Sequence, residues 1–246
     1  MMHSENGQTQ WNNIYRLGGV AAVSAVLVGL AEIIITFLPG GNVPRETVLN
    51  WFKLFQENWF LGLRNLGLLN ILLNTLAIVI FFALYAAHKQ DRHQPYATLA
   101  MLFALLGVGV FYATNRAFAM LDLSNQYATA TTDAQRVVIE AAGQAMLAVG
   151  KSHTPGTLLG FSLVEVAGMM ISIMMLRSGI FSKATAYAGL LGFGFLLVFE
   201  FLSSLISGLS AVAMTLAMFG GLLSMAWYLL IARQLFKLGQ NPIEHS

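Results

Sequence analysis

Charged side chains within or at the edges of membrane-length apolar runs constrain this chain more than any other feature. Glu32, Arg64, Arg116, Glu165 and Glu200 are associated with six such runs, each close to the roughly 20 residues that a helix needs to cross a bilayer. A charge at the bilayer centre costs about 2.5–3.5 kcal/mol on insertion scales, so these groups must meet one another, water or a ligand. Of the 246 residues, 57% are hydrophobic and only 10% charged, against about 25% charged in a soluble domain. The chain therefore reads as one all-α polytopic membrane bundle with no room for a separate soluble domain.

Hydropathy and helix punctuation predict six spans over about 17–38, 65–87, 96–121, 155–176, 185–206 and 211–232. Pro39-Gly40-Gly41 ends the first, and Thr154-Pro155 opens the fourth with a capping hydroxyl and a proline suited to the first helical position. The first sixteen residues are too polar for a signal peptide, so the first apolar run is expected to be kept as a span. Two additional external helices are expected, over about 44–59 and 133–150. In the first, Trp51, Phe55 and Trp59 recur every four residues and would lie at the membrane interface. In the second, Thr132 and Gln135 have capping-box spacing.

Basic residues near helix ends set the orientation. Arg16, Lys89, Arg92, Arg177, Lys183, Arg233 and Lys237 fall on one side in short segments, whereas Arg45, Lys53, Arg136 and Lys151 fall on the other in longer loops. Both termini are thus expected in the cytoplasm and both inserted helices outside. Glu32 and Glu200 then lie in the outer half of the first and fifth spans, Glu165 near the middle of the fourth, and Arg64 and Arg116 toward the outer ends of the second and third.

Helical spacing aligns Glu165 with Ser162, Gly168 and Ser172, Glu200 with Ser203, Ser204 and Ser207, and Glu32 with Ala25, Gly29 and Thr36. Small and hydroxyl residues favour close helix approach in lipid, which turns the acids toward the bundle interior. Asn70 and Asn74 add amides to that interior. Three glutamates against two arginines leave one carboxylate over, and such a group takes up a proton or holds a cation. The opposing reading is a set of interhelical ion pairs that only fix packing.

Several chemistries lack their residues. There is no cysteine, hence no disulfide or thiolate metal site, and no lysine inside a span for a Schiff base. His3 and His245 are terminal, His88 and His93 read as interfacial loop residues, and His153 is the one histidine on the outer side. No HExxH or Walker A motif occurs, and Gly160-Phe161-Ser162-Leu163 lacks the closing glycine of a hydrolase elbow. A hard cation held by Glu32, Glu165 and Glu200 stays open as an alternative, although no dedicated metal site or cofactor is expected. The net charge of +2 carries no continuous basic run, so nucleic acid is not an expected partner. Met169, Met170, Met174 and Met175 read as flexible packing.

The segments YRLGGVAAVSAVLVGL, LAIVIFFALY and SLVEVAGMMISIMMLRSGIFSKATAYAGLLG resemble a bacterial domain-of-unknown-function family of six-helix integral membrane proteins. That resemblance implies a bacterial inner (plasma) membrane location and brings no catalytic residues with it. The expected function is an outward-facing polar pocket, built from Glu32, Arg64, Asn70, Asn74, Arg116, Glu165 and Glu200, that binds or translocates a small cationic or proton-linked solute. The alternatives are an embedded enzyme with a glutamate as general acid or base, or an accessory or sensor protein that contacts a membrane-protein partner or a second copy. Membrane lipid is the surrounding partner in every case.

Overall fold

The computed structural model describes residues 2–37 and 47–240, all of whose regular structure is helical. The helices are α1 (Met2–Phe37), α2 (Val48–Glu57), α3 (Trp59–Asn65), α4 (Leu68–Ala87), α5 (Gln94–Thr114), α6 (Ala117–Thr129), α7 (Asp133–Gly150), α8 (Leu158–Ser178), α9 (Lys183–Leu205) and α10 (Ser210–Gln240). Among the described residues, six stretches are long and apolar enough to cross a membrane: Gln10–Thr36, Leu68–Ala87, Gln94–Thr129, Leu158–Ser178, Lys183–Leu205 and Ser210–Gln240. The Pro39-Gly40-Gly41 stop, the Pro44 start of the first external helix, Arg45 and His245 lie outside the described residues.

Packing closes these spans into a ring. α1 lies against α4 and α10, α10 against α9, α9 against α8, α8 against α5, and α5 against α4. Arg16 Nε donates to the Gly239 carbonyl at 3.1 Å, and Tyr15 Oη to the Ala86 carbonyl at 3.2 Å. The first span, the end of α10 and the α4–α5 loop therefore share one end, called here the terminal end. The interior toward that end is mainly apolar, with Ile80, Phe81, Leu84, Ile171, Met175, Trp227, Ile231 and Leu235 fully buried. Glycines let the helices approach: a Cβ at Gly168 would strike the Phe193 ring, and one at Gly189 would collide with Ser172 and Trp227.

At the opposite end α2, α3, α6 and α7 form a cap with its own core of Val48, Trp51, Phe52, Leu54, Phe55, Leu63, Leu66, Ala117 and Met120. α7 begins where the capping box predicts: Gln135 N donates to Thr132 Oγ1 at 3.2 Å, and Thr132 N donates to Gln135 Oε1 at 3.3 Å. Gly67, with φ 97°, makes the left-handed turn between α3 and α4 that a side chain would strain.

Four expectations are corrected. The third span is broken, not continuous: Asn115 Oδ1 accepts from Ala117 N at 3.1 Å while its amide donates to the Leu66 carbonyl at 3.1 Å, so the chain restarts as α6. The first external helix splits at Asn58, whose side chain caps α3 through Leu61 N at 3.0 Å. Trp51 and Phe55 are buried in the cap core instead of facing a membrane surface, and only Trp59 of that stripe is exposed. His88 does lie in the turn after α4 but is fully buried instead of interfacial, stacked on Phe181; its Nδ1 donates to the Leu84 carbonyl at 2.7 Å, which leaves Nε2 to accept from Ser178 Oγ at 3.2 Å.

Candidate functional site

Between the apolar interior and the cap core lies a layer of charged and hydroxyl side chains. Glu32 sits five residues before the end of α1, Glu200 five before the end of α9, and Glu165 seven into α8. At 1.5 Å per residue these are depths of about 7–11 Å from the cap ends of their helices. All three are thus clear of the helix ends yet near the cap.

Two of the acids are closed into pairs. Glu32 Oε1 stands 2.9 Å from Arg64 Nη2, and the guanidinium also donates to the Glu32 carbonyl at 2.9 Å, to Asn65 Oδ1 at 2.8 Å and to Thr36 Oγ1. The Arg64 side chain is 5% exposed against 39% for Glu32. Arg64 therefore staples the short helix α3 to the last turn of α1. Glu200, 1% exposed, accepts from His153 Nδ1 at 2.5 Å. The His153 ring stacks on Phe161 with centroids 5.0 Å apart and leans on Phe199 at 4.9 Å. Its backbone has φ 58°, in the left-handed region where a side chain is seldom found. The aromatic slot and the carboxylate together hold that conformation, an investment of backbone strain in aiming one imidazole.

Glu165 differs. It is buried, forms no ion pair or hydrogen bond with any described residue, and lies within electrostatic reach of Glu200. Around this layer further polar atoms are buried without a hydrogen-bond partner among the described residues: the second oxygens of Glu32, Glu165 and Glu200 and the hydroxyls of Ser162 and Ser204. Ser162 precedes Glu165 by three residues and Ser204 follows Glu200 by four, so each hydroxyl shares its glutamate's helix face. Buried polar groups in native interiors are nearly always paired, so a cluster of unpaired oxygens marks a place for water, protons or a solute.

The remaining residues expected at the site stand apart from this pair of carboxylates. Arg116 caps α6 at the break in the third span, packs its stem where a Cβ on Gly150 would be, and makes no ion pair with a described residue. It does not act as a counter-charge to the glutamates. Asn74 is buried and donates to the Asn70 carbonyl at 2.9 Å, while the Asn70 and Asn115 amides and the Ser152 hydroxyl crowd the open side of Gly67. Among the described residues no three His, Asp or Glu side chains gather around a point where they could hold one metal ion. The three-glutamate chelate is thus not formed.

His153 is the site residue that spacing did not reveal. It falls in the loop between α7 and α8, and only the fold turns it inward. The available signal was that it is the sole histidine on the outer side, two residues before the proline that opens the fourth span. No protein-family model, curated protein or solved structure matches this chain.

Proposed function

We propose that this multi-pass membrane protein binds or moves a small cationic or proton-linked solute at Glu165, from the side that the cap covers. One observation carries the reading: Glu165 is a buried carboxyl without a cationic partner, beside a second carboxylate, Glu200, which is itself engaged by His153. Two carboxyls sharing a buried site cannot both stay charged without a proton or a cation between them. Glu32 is assigned a different role. Its pairing with Arg64 makes it a strut that fixes the α1–α3 corner, and Asn70, Asn74 and Arg116 shape the cap junction without touching the exchanging group.

The donor set suits a proton or an organic ammonium, since a hard divalent ion wants six or more oxygens within about 2.5 Å. His153 stands between Glu200 and the exterior of the bundle, its side chain 39% exposed. That position lets it pass a proton toward the carboxyl pair. The seven basic residues of the short terminal-end segments favour an orientation with both termini in the cytoplasm and the cap outside, and the family resemblance favours a bacterial plasma membrane.

The test is stabilisation of the purified protein by sodium, guanidinium and tetramethylammonium over a range of pH, in native and Glu165→Gln forms. At least one cation, or pH itself, is expected to shift the melting temperature of the native protein and not that of the variant. Glu32→Gln is expected to melt earlier but keep the response. A response that survives Glu165→Gln in full overturns the assignment.

A further inference from the structure

The terminal end carries a cleft whose lining includes none of the glutamates. This cleft, of about 190 Å³, opens between α5 and α8, lined by His93, Tyr96, Met170, Ile173, Met174 and Arg177. On α8 the lining positions 170, 173, 174 and 177 follow the i, i+3, i+4, i+7 rule, so they form one stripe on one face. It runs about 10 Å along the helix at 1.5 Å per residue. The stripe is graded, with Met170, Ile173 and Met174 apolar toward the middle of the span and Arg177 cationic in its last turn. Across the cleft the α5 side supplies His93 and Tyr96 at the beginning of that helix, level with Arg177 and not with Met170.

Polar at its mouth and apolar below, the cleft has the polarity of one lipid molecule. Arg177 is exposed and forms no ion pair with a described residue. His93 is engaged by Asp91, with Nδ1 2.7 Å from Oδ1, so Arg177 is the uncommitted cation of the cleft. Arg92 precedes His93 in the α4–α5 loop and Lys183 begins α9 just after the short turn that follows Arg177, so basic residues outnumber the one acid, Asp91, in these neighbouring segments, although Lys89 itself turns onto the Trp11 ring of α1. Basic clefts between spans at this membrane face are suited to phosphate headgroups. Met170 and Met174 are flexible side chains that can mould to an acyl chain.

We propose that the α5–α8 cleft is a binding site for an anionic phospholipid, with the headgroup phosphate at Arg177, Tyr96 and His93 and one acyl chain along Ile173, Met170 and Met174. The lipid would seal the seam between α5 and α8 and so couple bundle stability to the charge of the leaflet.

Native mass spectrometry of the full chain in detergent tests this, with phosphatidylglycerol, phosphatidylcholine of the same chains, and inorganic phosphate as probes. The native protein is expected to retain phosphatidylglycerol over phosphatidylcholine. Arg177→Gln should reduce that preference roughly fivefold, the weight of about one basic residue against an anionic leaflet. Ile173→Trp, at a lipid-exposed position that can take the larger side chain, should reduce retention of both lipids by filling the cleft. Arg233→Gln, a basic residue at the same end but outside the cleft, should change neither. Equal retention of the two lipids by the native protein overturns the proposal. So does an equal loss of preference in Arg177→Gln and Arg233→Gln, or competition by inorganic phosphate as effective as that by phosphatidylglycerol.

Discussion

Breaking the Glu32–Arg64 strut from each side in turn separates structural charge from working charge. Removing one partner of a fully buried pair costs about 3–5 kcal/mol, because the other charge is stranded. Arg64→Met strands Glu32, whose side chain is 39% exposed although its Oε2 is buried, so the penalty falls short of that for a fully buried pair. Several hydrogen bonds of the guanidinium disappear at the same time. A net loss of about 2–3 kcal/mol is expected. Glu32→Gln leaves the guanidinium 5% exposed, yet the Glu32 main-chain carbonyl, Thr36 and Asn65 continue to accept from it and the new amide oxygen can replace one carboxylate oxygen. The expected loss is smaller, about 1–2 kcal/mol. Equilibrium unfolding by SDS titration in mixed micelles reads both, and the double variant closes the cycle. A coupling energy near 1 kcal/mol is expected, and additivity within about 0.5 kcal/mol would refute the pairing as a source of stability.

Other consequences are as specific. Burial holds the His88 imidazole below its ordinary value, so the unfolded chain binds a proton that the folded chain refuses. Stability contributed by neutral His88 is present above about pH 6.5 and falls as pH drops below it, by at most about 1.4 kcal/mol per pH unit. His88→Gln, which can still meet Leu84 and Ser178, should flatten that acid limb in thermal melts taken from pH 8 to pH 5, and an unchanged limb counts against the assignment. Gly189→Ala should lower stability by about 1–3 kcal/mol through overpacking against Ser172 and Trp227, whereas an equal-stability variant would mean that α9 can move away without loss. Reporter fusions after Gln90 and Gln240 should behave as cytoplasmic and one inserted within 125–132 as external; an external signal at Gln90 reverses the orientation.

The spans were legible because hydropathy over 20 residues is a strong signal that tertiary context does not alter, and α7 because its capping box is a local pattern that closes on itself. The break at Asn115 was not, since it depends on a carbonyl of Leu66 that only the fold brings near. The Trp51, Phe55 and Trp59 stripe divides at Asn58: Trp51 and Phe55 share a face of α2 that packs into a protein core, for an aromatic face suits a core and a lipid interface equally well, and Trp59 begins α3. At the site, the interior direction of Glu165 and Glu200 followed from small residues at helical spacing. Which acid pairs with which cation did not. Arg64 reaches Glu32 from a separate short helix, Arg116 turns away toward Gly150, and His153 replaces it as the partner of a glutamate from a loop with no periodicity to read.

Infrared difference spectroscopy of the carboxyl stretch, on protein reconstituted in a bilayer and stepped between acid and alkaline pH, addresses the exchanging group itself. A band that changes with pH or on addition of a cation should be present in the native protein, persist in Glu32→Gln, and vanish in Glu165→Gln. If the band is unaltered in Glu165→Gln, or lost instead in Glu32→Gln, then Glu165 is not the group that exchanges its proton or cation and the central assignment is wrong.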